Sequence, residues 1–227
     1  MSSRPVLELG GVEHAYRRTV ALRGVSLAVE PGEVVAVTGP SGCGKSTLLH
    51  AAAGIIRPQA GTVRLAGHDL AALDERERTA LRRREAGIVL QFGQLVPDLA
   101  VIENVALPLL LDGHERSAAL VAANEWLERA GLALDPATPT AELSGGEAQR
   151  IAVARALVTG PSVVLADEPT GSLDTAGGEQ LLALLLGAAR ERGAAVVLVT
   201  HDNVVAAHAD REVRLRDGRV EAMAVLR

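Results

Sequence analysis

Aromatic side chains are nearly missing from this chain: Tyr16, Phe92 and Trp126 are the three in 227 residues. Surfaces that hold single-stranded nucleic acid stack bases on such rings, and three scattered ones build no platform. Cysteine is scarcer still. The lone Cys43 excludes an intramolecular disulfide and fits a reducing cytoplasm. There is no basic excess either. A net charge of −5 with both signs interspersed leaves no footprint for nucleic acid, so none is expected as a partner. Long apolar runs are absent: residues 105–111 and 181–186 fall far short of the ~18 residues of a spanning helix. Residues 1–6 carry one basic residue and no apolar core, so no secretory signal is expected.

What the chain does have is 48% hydrophobic residues, mostly Ala, Leu and Val. That is enough to bury a full core in one α/β-sized domain. Its organising stretch is Gly39-Pro40-Ser41-Gly42-Cys43-Gly44-Lys45-Ser46, followed by Thr47. This fits G-x-x-x-x-G-K-[ST] at every fixed position. A β-branched run, residues 34–38, precedes it, and a helix-favouring run, residues 47–53, follows. Strand, glycine loop and helix in that order present successive backbone N–H groups to phosphate oxygens at the positive end of a helix. Lys45 is expected to reach the β- and γ-phosphates, and the Ser46 hydroxyl to ligate Mg²⁺. A chance glycine turn has no need of the flanking strand and helix. The chain is therefore read as binding a nucleoside triphosphate with Mg²⁺. Alkylation of Cys43, inside the loop, is expected to block binding, and bound nucleotide to protect the thiol.

A second set of groups lies far along the chain. The apolar strand at residues 163–166 ends in Asp167-Glu168, and parallel strands present their carboxyl ends to the ligand crevice. Asp167 is expected to hold Mg²⁺, directly or through water. Glu168 is expected to act as general base on the water that attacks the γ-phosphate. An acidic N-cap on a solvated loop is the plainer alternative. Residues 196–200 form another buried strand, ending at His201, which has the right address to bond the γ-phosphate. The remaining histidines, His14 among them, read as packing or surface residues. Leu143-Ser144-Gly145-Gly146-Glu147 opens a further helix. Ser144 and Glu147 have capping-box spacing, but a capping box needs no paired glycines. Bare N–H groups there make a second anion site. Two complementary half-sites predict a head-to-tail homodimer sandwiching two nucleotides.

Between these landmarks, residues 6–9, 25–29 and 62–65 read as short, glycine- or proline-flanked strands of an antiparallel group. Residues 74–85 read as a charged helix, and residues 88–90 as a buried strand ending at Gln91. Residues 101–111 and 115–130 read as helices, and no strand is expected before residue 163. Residues 97–158 are therefore expected to form a helical insertion in the single domain 1–227. Helices at 175–192 and 204–209, a strand at 196–200, and a hairpin of 212–216 with 219–222 around Asp217-Gly218 complete the pattern.

Taken together, these motifs resemble the nucleotide-binding subunit of an ABC transporter over residues 16–220. Gly39 to Ser46 corresponds to the family's Walker A loop, residues 163–168 to its Walker B strand and catalytic glutamate, and residues 143–147 to its signature. The resemblance implies an ABC-type P-loop NTPase: an α/β core, an antiparallel β-subdomain and an inserted helical subdomain. It also implies that Gln91 touches Mg²⁺ and water and relays nucleotide state to membrane subunits. His201 corresponds to the switch histidine, Tyr16 to the aromatic that stacks on adenine, and Ser172-Leu173-Asp174 to the D-loop. A family member of this kind is an ATPase at the cytoplasmic face of the membrane, working on an integral permease carried on a separate chain.

Residues 166–174, 103–105 and 143–147 resemble the lipoprotein-release, macrolide-export and cell-division branch. A cell-division regulator that transports nothing is the alternative. Soluble ribosome- or DNA-acting relatives usually carry two cassettes or a long coiled coil, which this chain lacks. Two departures stand out: Phe92 directly follows Gln91 where the branch has an intervening residue, and Ala148 replaces a longer polar side chain. Both lie near surfaces expected to meet the permease or the opposing nucleotide. Phe92 is either core filler or a permease contact.

Overall fold

A computed structural model describes residues 4–91 and 93–226, so Phe92 lies outside the described residues. In chain order the elements are β1 (Leu7–Tyr16), β2 (Thr19–Val29), β3 (Val34–Thr38), α1 (Lys45–Ala52), β4 (Ala60–Leu65), β5 (His68–Asp69), α2 (Glu75–Glu85) and β6 (Ala86–Val89). Then come α3 (Val101–Leu111), α4 (Arg116–Arg129), α5 (Gly145–Leu157), β7 (Val163–Asp167) and α6 (Thr175–Glu191). The chain closes with β8 (Ala195–Val199), α7 (Asn203–Ala206), β9 (Arg211–Arg216) and β10 (Arg219–Val225).

Two sheets form. The first is antiparallel, in the order β2-β1-β4-β5. Its leading strands are much longer than the short ones expected at 6–9 and 25–29. Gly10-Gly11, which reads as a terminator, instead sits at a register shift between Leu9 and Val12. Gly11 has φ +60°. The glycines thus form a bulge that lets β1 continue to Tyr16 rather than end. The second sheet runs β10-β9-β3-β8-β7-β6, parallel from β6 to β9, with β10 returning antiparallel to β9.

The parallel strands are short, continuous apolar runs because both of their faces are covered. Val34 and Ala36 of β3, Val164 and Ala166 of β7, and Val196 and Leu198 of β8 enter one core with α3 to α6. The alternate residues Val35, Val37, Val163, Leu165, Ala195, Val197 and Val199 enter the other, with α1 and the antiparallel sheet. The helix α1 packs against strands of both sheets. Among the described residues, the α-helices α3, α4 and α5 and a 3-10 turn at Thr140–Glu142 occupy the stretch between β6 and β7. The helix expected at 204–209 is shorter, Asn203–Ala206, and starts a residue earlier because the Asp202 carboxylate accepts from the Val204 N–H and caps it.

Every parallel strand delivers its carboxyl end to the same edge. There the chain leaves β3 for the glycine loop, β6 for Gln91, β7 for Glu168 and β8 for His201. Brackets hold this edge to the helices. The half-buried Arg155 of α5 donates to the carbonyls of Gly93 and Gln94 at 2.9 and 3.1 Å, and its partial burial lowers its guanidinium pKa. At the opposite edge, where α2 runs into the amino end of β6, Arg83 and Arg84 both reach Asp112 just past α3. Their hydrogen bonds, that from Arg84 foremost, hold the Asp112 carboxyl below its usual range.

Candidate active site

The loop after β3 is shaped by backbone that other residues adopt poorly. Gly39 and Gly44 have φ +141° and +109°, and a Cβ at Gly39 would lie 2.1 Å from the Leu215 carbonyl oxygen of β9. Gly44 is the N-cap of α1, and no side chain caps that helix. Its first-turn N–H groups are left to an anion, at the end where the helix dipole favours negative charge. The Lys45 ammonium donates to the carbonyls of Gly39 and Pro40 at 2.8 and 3.1 Å, which holds it over the loop. Cys43 is 5% exposed and packs into the core below. Labelling of its thiol must therefore wait for the loop to open.

A cleft of about 620 Å³ lies beside this loop, lined by Ser41, Gly42, Gly44, Lys45, Ser46, Thr47, Gln91, Asp167, Glu168, His201 and Tyr16. Residues as far apart along the chain as Tyr16 and His201 thus meet in one space: loop, strand ends and an aromatic. Gly39 and Pro40 instead line an adjoining cleft, which shares His201. Thr19 and Ala21 of β2 complete the first cleft. They were invisible in the sequence because β2 was expected to begin six residues later. Tyr16, 46% exposed, receives the His14 ring at 4.6 Å and 74°. An edge-to-face contact of this kind orients a ring, and it is the packing contact that His14 makes.

Glu168 follows β7 with φ +45°, an uncommon backbone for a residue with a side chain. Its N–H bonds to the Val199 carbonyl at 2.9 Å. The carboxylate Oε1 lies 2.7 Å from His201 Nδ1, and Oε2 accepts from the Thr200 hydroxyl at 3.3 Å. Glu168 and His201 were expected at one edge of the sheet, and here they touch. With Nδ1 engaged by the carboxylate, Nε2 is the ring atom left to face a phosphate.

Ser144, Gly145, Gly146 and Glu147 line none of this cleft. Ser144 N-caps α5, and the capping box is complete: the Ser144 hydroxyl accepts from the Glu147 N–H, while Glu147 accepts from the Ser144 N–H at 2.8 Å. A Cβ at Gly145 would meet nothing within 4 Å, so the start of α5 is open to an approaching group. Hydrogen bonds, first from the Ser144 hydroxyl and then from its N–H, lower the Glu147 carboxyl pKa. The cap is therefore at full strength above the carboxyl's unfolded pKa and is lost as pH falls through its lower folded value. Ser144→Ala should cost about 1 kcal/mol, a loss that thermal unfolding at neutral pH would reveal and that should shrink in acid.

The family model described as "ABC transporter" matches residues 22–171, more than half of the chain. The lipoprotein-releasing system ATP-binding protein LolD 2 of Caulobacter vibrioides is 46% identical, with 98% of this chain and 100% of that protein covered. An uncharacterized ABC transporter ATP-binding protein of Mycobacterium tuberculosis is 42% identical over 97% of this chain and 90% of that one. Among solved structures, the ATP-binding cassette MJ0796, a dimer in a post-hydrolysis state with ADP and Pi, superposes with a TM-score of 0.90. It is 37% identical, over 97% of this chain and 99% of that one. Loop, strand ends and relatives agree: the chain belongs to the ABC transporter family, as the ATP-hydrolysing subunit that powers a separate membrane permease.

Proposed function

We propose that ATP lies in the 620 Å³ cleft with its adenine against Tyr16 and its phosphates in the loop from Gly39 to Thr47, under Lys45. The carrying observation is the Glu168–His201 contact of 2.7 Å in the wall of that same cleft. Glu168 takes a proton from the water that attacks the γ-phosphorus, the bond from that phosphorus to the bridging oxygen breaks, and ADP and phosphate leave. His201 orients the carboxylate through Nδ1 and turns its other nitrogen toward the γ-phosphate.

The residues also fit Mg²⁺. A hydroxyl (Ser46), a carboxylate (Asp167) and a carboxamide (Gln91) line one cleft, and oxygen donors are what a hard cation takes. Among the described residues no group of three or more His, Cys, Asp or Glu side chains converges, so phosphate oxygens and water must complete the shell. When bound, the ion would neutralise charge on the β- and γ-phosphates. The chain's part is to hold the three donors.

We further propose a homodimer in which Ser144 to Glu147 of one copy close over the phosphates held by the other. The separation of this turn from its own cleft supports that reading, as does the dimeric state of the related cassette. The chain is read as one domain, 1–227, with 97–158 as an inserted helical subdomain. It sits peripherally on the cytoplasmic face of the membrane; among the described residues no helix is long and apolar enough to cross one. The name of the Caulobacter relative points to lipoprotein release as the work powered. The test is co-purification: tagged Glu168→Gln protein with ATP and Mg²⁺, detergent-solubilised membranes and mass spectrometry. A polytopic membrane protein with a large extracytoplasmic domain is expected. Recovery of ribosomal or DNA-bound partners alone would sink the assignment of partner and location.

A further inference from the structure

Three consecutive residues at the end of β8 hold Glu168. Val199 takes its backbone N–H, His201 meets Oε1, and between them Thr200 reaches Oε2. Thr200 is 1% exposed, whereas the His201 side chain is 73% exposed. One tether is a ring in solvent and the other a fixed, buried group. A threonine hydroxyl has one proton and two lone pairs. The Asp202 N–H donates to Thr200 Oγ1 at 3.0 Å and occupies a lone pair, so the hydroxyl proton is directed to the carboxylate 3.3 Å away. The Thr200 backbone N–H donates to the Val37 carbonyl of β3 at 3.1 Å. That strand feeds the phosphate loop.

A glutamate carboxylate turns about a broad, roughly two-fold terminal torsion. Left with His201 alone, it swings with an exposed ring. We infer that Thr200 is a positioning residue for ATP hydrolysis: its hydroxyl, itself oriented by the Asp202 N–H, fixes the Glu168 carboxylate relative to the strand that carries the phosphate loop. The inference rests on Glu168 being the base. Thr200 does not touch nucleotide and lines no part of the cleft, so nucleotide affinity does not depend on it.

Steady-state ATPase of the full chain, over a protein-concentration series, compares Thr200→Ser, Thr200→Ala and Thr200→Val, with Tm recorded for each. The serine and alanine variants differ by one oxygen. Thr200→Ala and Thr200→Val should lower kcat by roughly tenfold or more and leave KM for ATP within about twofold, while Thr200→Ser keeps kcat within about threefold of the parent. Equal kcat in the Ser and Ala variants would overturn the proposal, and so would a loss carried by KM. Should the valine fail to fold, the Ser–Ala pair decides alone. Glu168→Gln, run alongside, separates the two readings. If it retains turnover the base assignment fails; if it loses turnover while Thr200→Ala does not, the positioning role alone fails.

Discussion

Glu168→Gln should bind ATP as tightly as the parent and turn it over roughly 10²- to 10⁴-fold more slowly, the span that a positioned general base supplies. The substitution keeps the volume and planar shape of the side chain while exchanging one oxygen for an amide nitrogen, so the left-handed backbone at φ +45° and the link to the Val199 carbonyl stay in place. What goes is the capacity to accept a proton from water. Nucleotide that binds and does not react holds its complex together, so the variant should form an ATP-dependent dimer visible by light scattering and dispersed by ADP. Single-turnover kinetics check the chemistry directly. Wild-type-like hydrolysis would remove Glu168 from the mechanism, whatever the dimer did.

Gly39→Ala should be the most damaging exchange of a single methyl group in the loop. Its backbone sits at φ +141°, and the added Cβ would lie 2.1 Å from the Leu215 oxygen and 2.8 Å from the Cys43 sulfur. The oxygen belongs to β9, paired on both sides, and the thiol to a packed core, so neither gives way readily. Backbone strain and overpacking together should cost on the order of 3 kcal/mol or more. At ~2–4 °C per kcal/mol for a chain of this size, Tm should fall by roughly 10 °C. Gly42→Ala is the control: its φ is also positive, at +77°, but its Cβ meets nothing within 4 Å, leaving about 1–2 kcal/mol of conformational cost. Calorimetry of the two variants side by side would discard the steric account if they melted together.

The glycine loop was legible because its neighbours in space are its neighbours in sequence: strand, turn and helix follow without a gap. The strand ends at Asp167-Glu168 and Thr200-His201 were legible for a related reason, since apolar runs that stop at polar residues mark one edge of a parallel sheet. What stayed hidden depends on tertiary contact. Gly10-Gly11 has the same letters whether it ends a strand or bulges one, and pairing partners decide. His14 finds its packing partner in the Tyr16 ring, and Thr200 acquires its role from a carboxylate 32 residues earlier. No local pattern carries such pairings. The two-residue β5 is too short to leave a periodic signal.

The strands β3, β7 and β8 each wet neither face, sending alternate side chains into two different hydrophobic reservoirs. Loosening either reservoir therefore withdraws support from the other through the same few residues, and partial melting of the helical side cannot leave the phosphate loop standing on intact strands. Denaturation of the two cores should accordingly be one cooperative event, and loss of the strands on either side should remove the platform on which the phosphate loop stands.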